Sequence, residues 1–265
     1  MPRFARIFRG SGITYSWSST AASGILRIVR NRKLLSIGHR GAAGRAPENT
    51  IAAIRKGIAL GADFVEVDVQ RTYDDRLVLM HDKFVDRTTN GTGRVTELTW
   101  EDLRPLNAGE GESIPLLEDA LAVANGRIGI ILETITPGIG TAVYRATKNA
   151  ALFSPVIFSS FLHDEILAIH DLDPVAKTMA LMECVPVSGI AFARDAKATH
   201  VGLSLDSATQ EFVAAIQHNG LGVFLYTADE PWRIDQAIRL GVDGIISNFP
   251  DRVCQRLAEQ AIQQS

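Results

Sequence analysis

Two hydrophobic rhythms alternate along most of the chain. Short apolar runs, bounded by glycine or polar residues, recur at 34–37, 64–69, 77–81, 127–133, 156–159, 177–181, 200–205, 223–227 and 244–247. Runs this short and rich in β-branched residues read as strands. Between them apolar positions return at helical spacing, most clearly over 207–219 and 231–240. The segment 64–69 alternates strictly. Phe64, Glu66 and Asp68 therefore project to one face of its strand, and Val65, Val67 and Val69 to the other.

Local signals refine this pattern. Pro47-Glu48-Asn49-Thr50 opens a helix with Asn49 as its expected N-cap; Ile51, Ile54 and Ile58 supply its apolar stripe, and Gly61 ends it. Tyr73-Asp74-Asp75-Arg76 reads as a tight turn. An antiparallel pairing centred on Asp74-Asp75 puts Asp68 opposite His81. Residues 83–115 are loop-rich, with a short helical piece near 99–103, and read as an excursion over the mouth of a site; 115–125 is helical.

Of the nine expected strands, the one at 77 follows its predecessor by a turn too short for a parallel crossover. The other eight alternate with helices. That count predicts a single TIM (β/α)8-type barrel with a β-hairpin and loop insertion after the second strand. A doubly wound open sheet is the alternative, but no glycine-rich dinucleotide loop supports it.

Composition agrees with one α/β domain: 265 residues, 46% hydrophobic and 22% charged. Cys184 and Cys254 show neither metal-ligand spacing nor a disulfide framework, so two idle thiols in a reducing, cytoplasmic setting are expected. Charge divides the chain. Residues 1–33 are Ser- and Arg-rich and carry seven basic side chains and no acid, leaving the remainder with 20 basic against 30 acidic residues. An acidic body argues against nucleic-acid binding and suits a protein that holds a cation. The basic segment 1–33 reads as a flexible arm ahead of a barrel over 34–265. A short amphipathic turn on anionic lipid, giving peripheral membrane contact, and an organelle transit peptide are the other readings of that composition. No window reaches the 18 or so apolar residues of a membrane span.

The candidate chemistry is concentrated between Ile37 and Asp82. Glu66 and Asp68 share a face, and Glu133 ends another expected strand. Like charges ~4 Å apart repel by about 4 kcal/mol at an effective dielectric near 20. A cluster of these three acids therefore stays ionised when a cation neutralises it, and oxygen-only ligands favour Mg²⁺ or Ca²⁺. His39 and His81 each stand at a strand end with an acid nearby, suited to proton transfer near neutral pH. Arg40 can grip a phosphate bidentately. The remaining histidines, His163, His170, His200 and His218, fall on helices or within strands and read as structural.

These residues resemble the glycerophosphodiester phosphodiesterase family. The shared run is His39-Arg40-Gly41, Pro47-Glu48-Asn49-Thr50, Glu66-Val67-Asp68 and His81-Asp82, continued by Asp86-Arg87-Thr88-Thr89-Asn90-Gly91-Thr92-Gly93. Further matches are Ile114-Pro115 with Leu117-Glu118, Ser159-Ser160-Phe161, and Gly241-Val242-Asp243-Gly244-Ile245-Ile246. The likeness spans about residues 35–253. It implies a barrel enzyme that hydrolyses a small glycerophosphodiester to an alcohol and sn-glycerol 3-phosphate. Glu66, Asp68 and Glu133 would hold the ion, His39 and His81 would form the acid–base pair, Arg40 would clamp phosphate, and Glu48 would brace the site.

Two departures stand out. The family's Glu-x-Lys appears as Glu133-Thr134-Ile135, and its Trp-Thr-Val-Asn as Tyr226-Thr227-Ala228-Asp229. Lys83 is the candidate to replace the absent phosphate-binding Lys, and Tyr226 keeps an aromatic ring at the substrate. The departures also admit a lysophospholipase D-like activity on lyso-lipids, or a catalytically impaired barrel that binds phosphodiesters.

Overall fold

The alternation around Glu66 and Asp68 sets the architecture. In the computed structural model, which describes residues 33–263, Val65, Val67 and Val69 are fully buried under helices on the outside of the sheet. Each such side chain removed from water contributes about 1.5–3 kcal/mol. Glu66 and Asp68 consequently face the inside.

The strands are β1 (Leu35–Gly38), β2 (Phe64–Arg71), β3 (Leu77–Leu79), β4 (Gly129–Thr134), β5 (Val156–Ser160), β6 (Lys177–Met182), β7 (His200–Ser204), β8 (Gly222–Tyr226) and β9 (Gly244–Ser247). Eight of them run parallel in the order β1-β2-β4-β5-β6-β7-β8-β9, and β9 pairs back onto β1 to close a TIM barrel. The principal helices round it are α1 (Ile51–Ala59), α2 (Trp100–Leu103), α3 (Leu117–Ala124), α4 (Gly140–Asn149), α5 (His163–Leu172), α6 (Ala191–Asp195), α7 (Gln210–His218), α8 (Pro231–Leu240) and α9 (Pro250–Gln263). Ile37, Ile131, Ile157, Met179, Leu181, Phe224 and Ile246 fill the barrel interior, a packed layer beneath the polar residues at the strand ends. Strand β3 lies antiparallel on the far end of β2. The excursion that follows it has a small core of its own, with Val78, Met80, Val85, Val95, Leu103 and Ile114 buried together. Among the described residues no helix is long and apolar enough to cross a membrane. The arm expected at the N-terminus, with its lipid-docking and transit readings, lies outside the described residues.

Two local expectations are corrected. The N-cap of α1 is Thr50, whose Oγ1 accepts from the Ala53 amide; Asn49 instead adopts a left-handed backbone and is buried against β2. The hairpin register is one residue off. Val69 pairs with Leu79 and Gln70 with Val78, which puts Met80, not His81, opposite Asp68. The reason is the parity of the turn. Its loop holds three residues, Tyr73, Asp74 and Asp75, with Asp75 at φ 62° and Thr72 bonded to Arg76 across the base.

Candidate active site

Strands β2 and β4 bring the acids together. Asp68 and Glu133 are register partners, and Glu66 lies two residues before Asp68 on the same face. Carboxylate oxygens of all three lie within 4.8 Å of one another. Burial and the Asp68 charge push both Glu66 and Glu133 well above the usual carboxylate range. One oxygen of Glu66 accepts the Arg40 amide at 2.9 Å, while the other, Oε1, is buried without a hydrogen-bond partner. Three converging carboxylates, one with an unsatisfied buried oxygen, are a donor set that a hard divalent cation fits.

The turn after β1 delivers His39 and Arg40. It is drawn tightly against α1: a Cβ on Gly38 would sit 1.8 Å from the Gly41 carbonyl oxygen, and one on Gly41 (φ 91°) 2.6 Å from Ala53 backbone. Only glycine fits at either place. His39 Nδ1 lies 2.8 Å from Asn248 Oδ1, and Asn248 donates its own amide to Asp229 at 2.7 Å. That second bond fixes which end of the Asn248 amide faces the ring. His39 therefore carries its proton on Nδ1 and turns Nε2 toward Glu66, 3.9 Å away. Burial, then the neighbouring Arg40 charge, lowers its pKa, favouring a neutral ring.

His81 reaches the same cavity from the loop beyond β3. What places it is Gln70, whose side-chain amide donates to the carbonyls of Met80, His81 and Asp82 at 2.9, 3.1 and 2.6 Å. Its Nδ1 donates to Asp82 at 2.6 Å. From there a ladder of paired charges runs back to the acids. Arg87 bonds both Asp82 and Glu48, Glu48 accepts from Arg40 at 2.7 Å, and Arg40 Nε stands 3.4 Å from Asp68. Asn49 seals the lower end, donating to Asp68 at 2.7 Å and accepting the Asp68 amide at 3.0 Å.

A cavity of 220 Å³ collects His39, Arg40, Glu66, Asp68, His81 and Glu133 on its wall. A pocket in which two imidazoles, a guanidinium and three acids face one another is equipped for phosphoryl transfer. The sequence pattern of the glycerophosphoryl diester phosphodiesterase family matches residues 39–252. The chain belongs to this family. It is 36% identical over 235 residues to a glycerophosphodiester phosphodiesterase of Caldanaerobacter subterraneus subsp. tengcongensis, covering 83% of this chain and 96% of that one. A glycerophosphodiester phosphodiesterase of Bacillus subtilis is 30% identical, over 83% of this chain and 85% of its own. The solved structure of an Oleispira antarctica phosphodiesterase, in complex with its product sn-glycerol-3-phosphate, has a TM-score of 0.78 at 24% identity; 84% of this chain and 96% of that one are covered. At that identity the likeness concerns the fold.

Against the family's pattern, the remaining expected residues separate. Tyr226 lines the cavity, edge-on to Phe161 with centroids 6.1 Å apart, and its hydroxyl donates to the Met182 carbonyl. Glu48 stays off the cavity wall and acts on Arg40. Lys83 and Ile135 line an adjoining groove, not the cavity itself. Asn49, Gln70, Arg87, Asp229 and Asn248 also build this candidate site, and the sequence pattern points to none of them as site residues. Asn49, Arg87 and Asp229 each lie within one of the segments compared with the family. Asn248 lies 209 residues from the ring it holds, with no local signal for the pairing.

Proposed function

We propose that this chain hydrolyses glycerophosphodiesters to an alcohol and sn-glycerol 3-phosphate, with His39 as general base, His81 as general acid and a divalent cation held by Glu66, Asp68 and Glu133. The observation that supports this reading is the single cavity shared by the three acids, both imidazoles and Arg40. When bound, Mg²⁺ or Ca²⁺ would supply Lewis-acid polarisation of the phosphoryl oxygens.

The chain's own residues account for the rest. Arg40 faces the diester with its guanidinium already positioned by Glu48 and shares the charge that develops on the phosphoryl oxygens. His39, neutral and with Nε2 open, takes the proton from the attacking oxygen, either of water, which gives sn-glycerol 3-phosphate directly, or of the substrate's own glycerol hydroxyl, which gives a cyclic glycerol phosphate that water then opens to the same product. A bond forms from that oxygen to phosphorus as the bond from phosphorus to the alcohol oxygen breaks. His81 gives its Nε2 proton to the departing alkoxide while Asp82 keeps the proton on Nδ1.

Turnover of glycerophosphocholine by the purified protein tests the reading. Activity is expected to need a divalent cation, to vanish with chelator and return on adding Mg²⁺ or Ca²⁺. Glu133→Gln is expected to cost on the order of 10²-fold or more in kcat and to raise the cation concentration for half-activity. Retained diester binding with no turnover at any cation concentration would replace this reading with a binding barrel.

A further inference from the structure

Beside the catalytic cavity lies a wider groove of 590 Å³, whose wall includes Phe84, Ile135 and Phe161. His81, Glu133 and Phe161 face both spaces. Phe84 and Phe161 are left 47% and 45% exposed at the groove. Single exposed apolar residues are ordinary, but two half-exposed rings and an isoleucine along one groove that opens from an active site have the character of a ligand wall. Ile135 is held there by its backbone amide, which donates to the Val69 carbonyl at 3.1 Å two residues beyond Glu133.

Polar side chains share the groove: Lys83 and Asp86 also line it, Asp86 accepting the Gly93 amide at 3.1 Å, while three others are spent among themselves. Asp82 is bonded to His81 and Arg87, and Arg87 to Glu48. His81 stands where the two spaces meet, so the oxygen it protonates has the groove on its outer side.

We infer that this groove receives the departing alcohol and that the preferred diesters carry an apolar one, a hydrocarbon chain joined through the oxygen that His81 protonates. This rests on the reaction proposed above: the bond from phosphorus to the chain-bearing oxygen breaks, the oxygen gains the His81 proton, and the apolar alcohol departs along Phe84, Ile135 and Phe161. Each methylene covered by the groove is worth about fourfold in binding.

The test is kcat/KM, with saturating divalent cation, for sn-glycerol 3-phosphate esters of methanol, butanol, octanol and choline, all below micelle-forming concentrations. The octyl ester is expected to exceed the methyl ester on the order of 10²-fold, and the butyl ester to exceed the choline ester. Ile135→Lys and, as a surface change that spares the core, Phe84→Ser are expected to reduce the octyl-to-methyl ratio at least fivefold. A wild-type ratio at or below one, with the methyl ester still turned over, overturns the inference and leaves the phosphodiesterase reading standing. So does a ratio unchanged in both variants. Absence of turnover for every ester overturns both.

Discussion

His39 meets the cavity from inside the barrel, at the end of β1; His81 meets it from the excursion loop above. The His39 side chain is 21% exposed and that of His81 40%. One ring leans on the neutral oxygen of Asn248, the other on the carboxylate of Asp82. Burial and Arg40 lower the pKa of His39, so its open nitrogen is ready to take a proton. The Asp82 carboxyl is itself drawn down to about 2 by hydrogen bonds from Arg87 and His81, and is an anion at neutral pH. In the proposed mechanism surroundings, not residue type, therefore divide base from acid.

The largest effect that would break this division comes from deleting each ring. His39→Ala and His81→Ala are each expected to lower kcat on the order of 10²–10⁴-fold on glycerophosphocholine. A glycerophosphoryl ester of p-nitrophenol separates them, because its leaving group needs no proton. His81→Ala should recover most of its loss on that substrate, and His39→Ala should not. Rescue of His39→Ala alone would exchange the two roles. The pH profile of kcat/KM offers a second reading. A neutral base whose pKa is lowered loses activity only as pH falls through that value, so the acid limb should lie below pH ~6.5, the ordinary imidazole value.

The same contrast explains how much of the site was legible in the sequence. The acids were, because a period-two strand forces Glu66 and Asp68 onto one face and valines onto the other, and because Glu133 lies near the end of β4 as the register partner of Asp68. The barrel was legible for a similar reason: nine apolar runs, one of them too near its neighbour to be parallel. The position of His81 was not. Whether a hairpin loop has two residues or three turns on the left-handed backbone of Asp75, and that parity shifts every partner by one. His81 reaches the site because Gln70 ties down the carbonyls around it, a bond no periodicity reports. The support of His39 was hidden by distance along the chain, since β9 returns Asn248 to β1 only when the barrel closes.

Those supports yield a smaller effect. Asn248→Leu removes the acceptor that orients His39 and frees the ring to take the other tautomer; a loss on the order of 10²-fold in kcat is expected, with KM for the diester little changed. Gln70→Leu should act through the other ring, and its loss should shrink on the p-nitrophenyl ester as that of His81→Ala does. If both variants respond alike to the activated leaving group, the two rings are not separately supported.

The smallest effect concerns stability, and it isolates the charge ladder that joins the two halves of the site. Burial alone would raise the Glu48 carboxyl, but Arg87 and Arg40 bring it down to about 2, and Asp82 is held near the same value. Both lie below the unfolded values of ~4.5 and ~3.8. Carboxyls depressed in the folded state add stability that is complete above the unfolded pKa and fades as pH falls toward the folded one. Arg87 is half exposed, so solvent screening limits its pairs to roughly 1 kcal/mol, or about 2–4 °C in melting temperature for a domain of this size. Arg87→Met should therefore melt below the wild type by about that much at pH 6–7, and the gap should close between pH 4.5 and 2. A gap that persists unchanged at pH 2 would assign the loss to packing of the Arg87 stem and not to its charge.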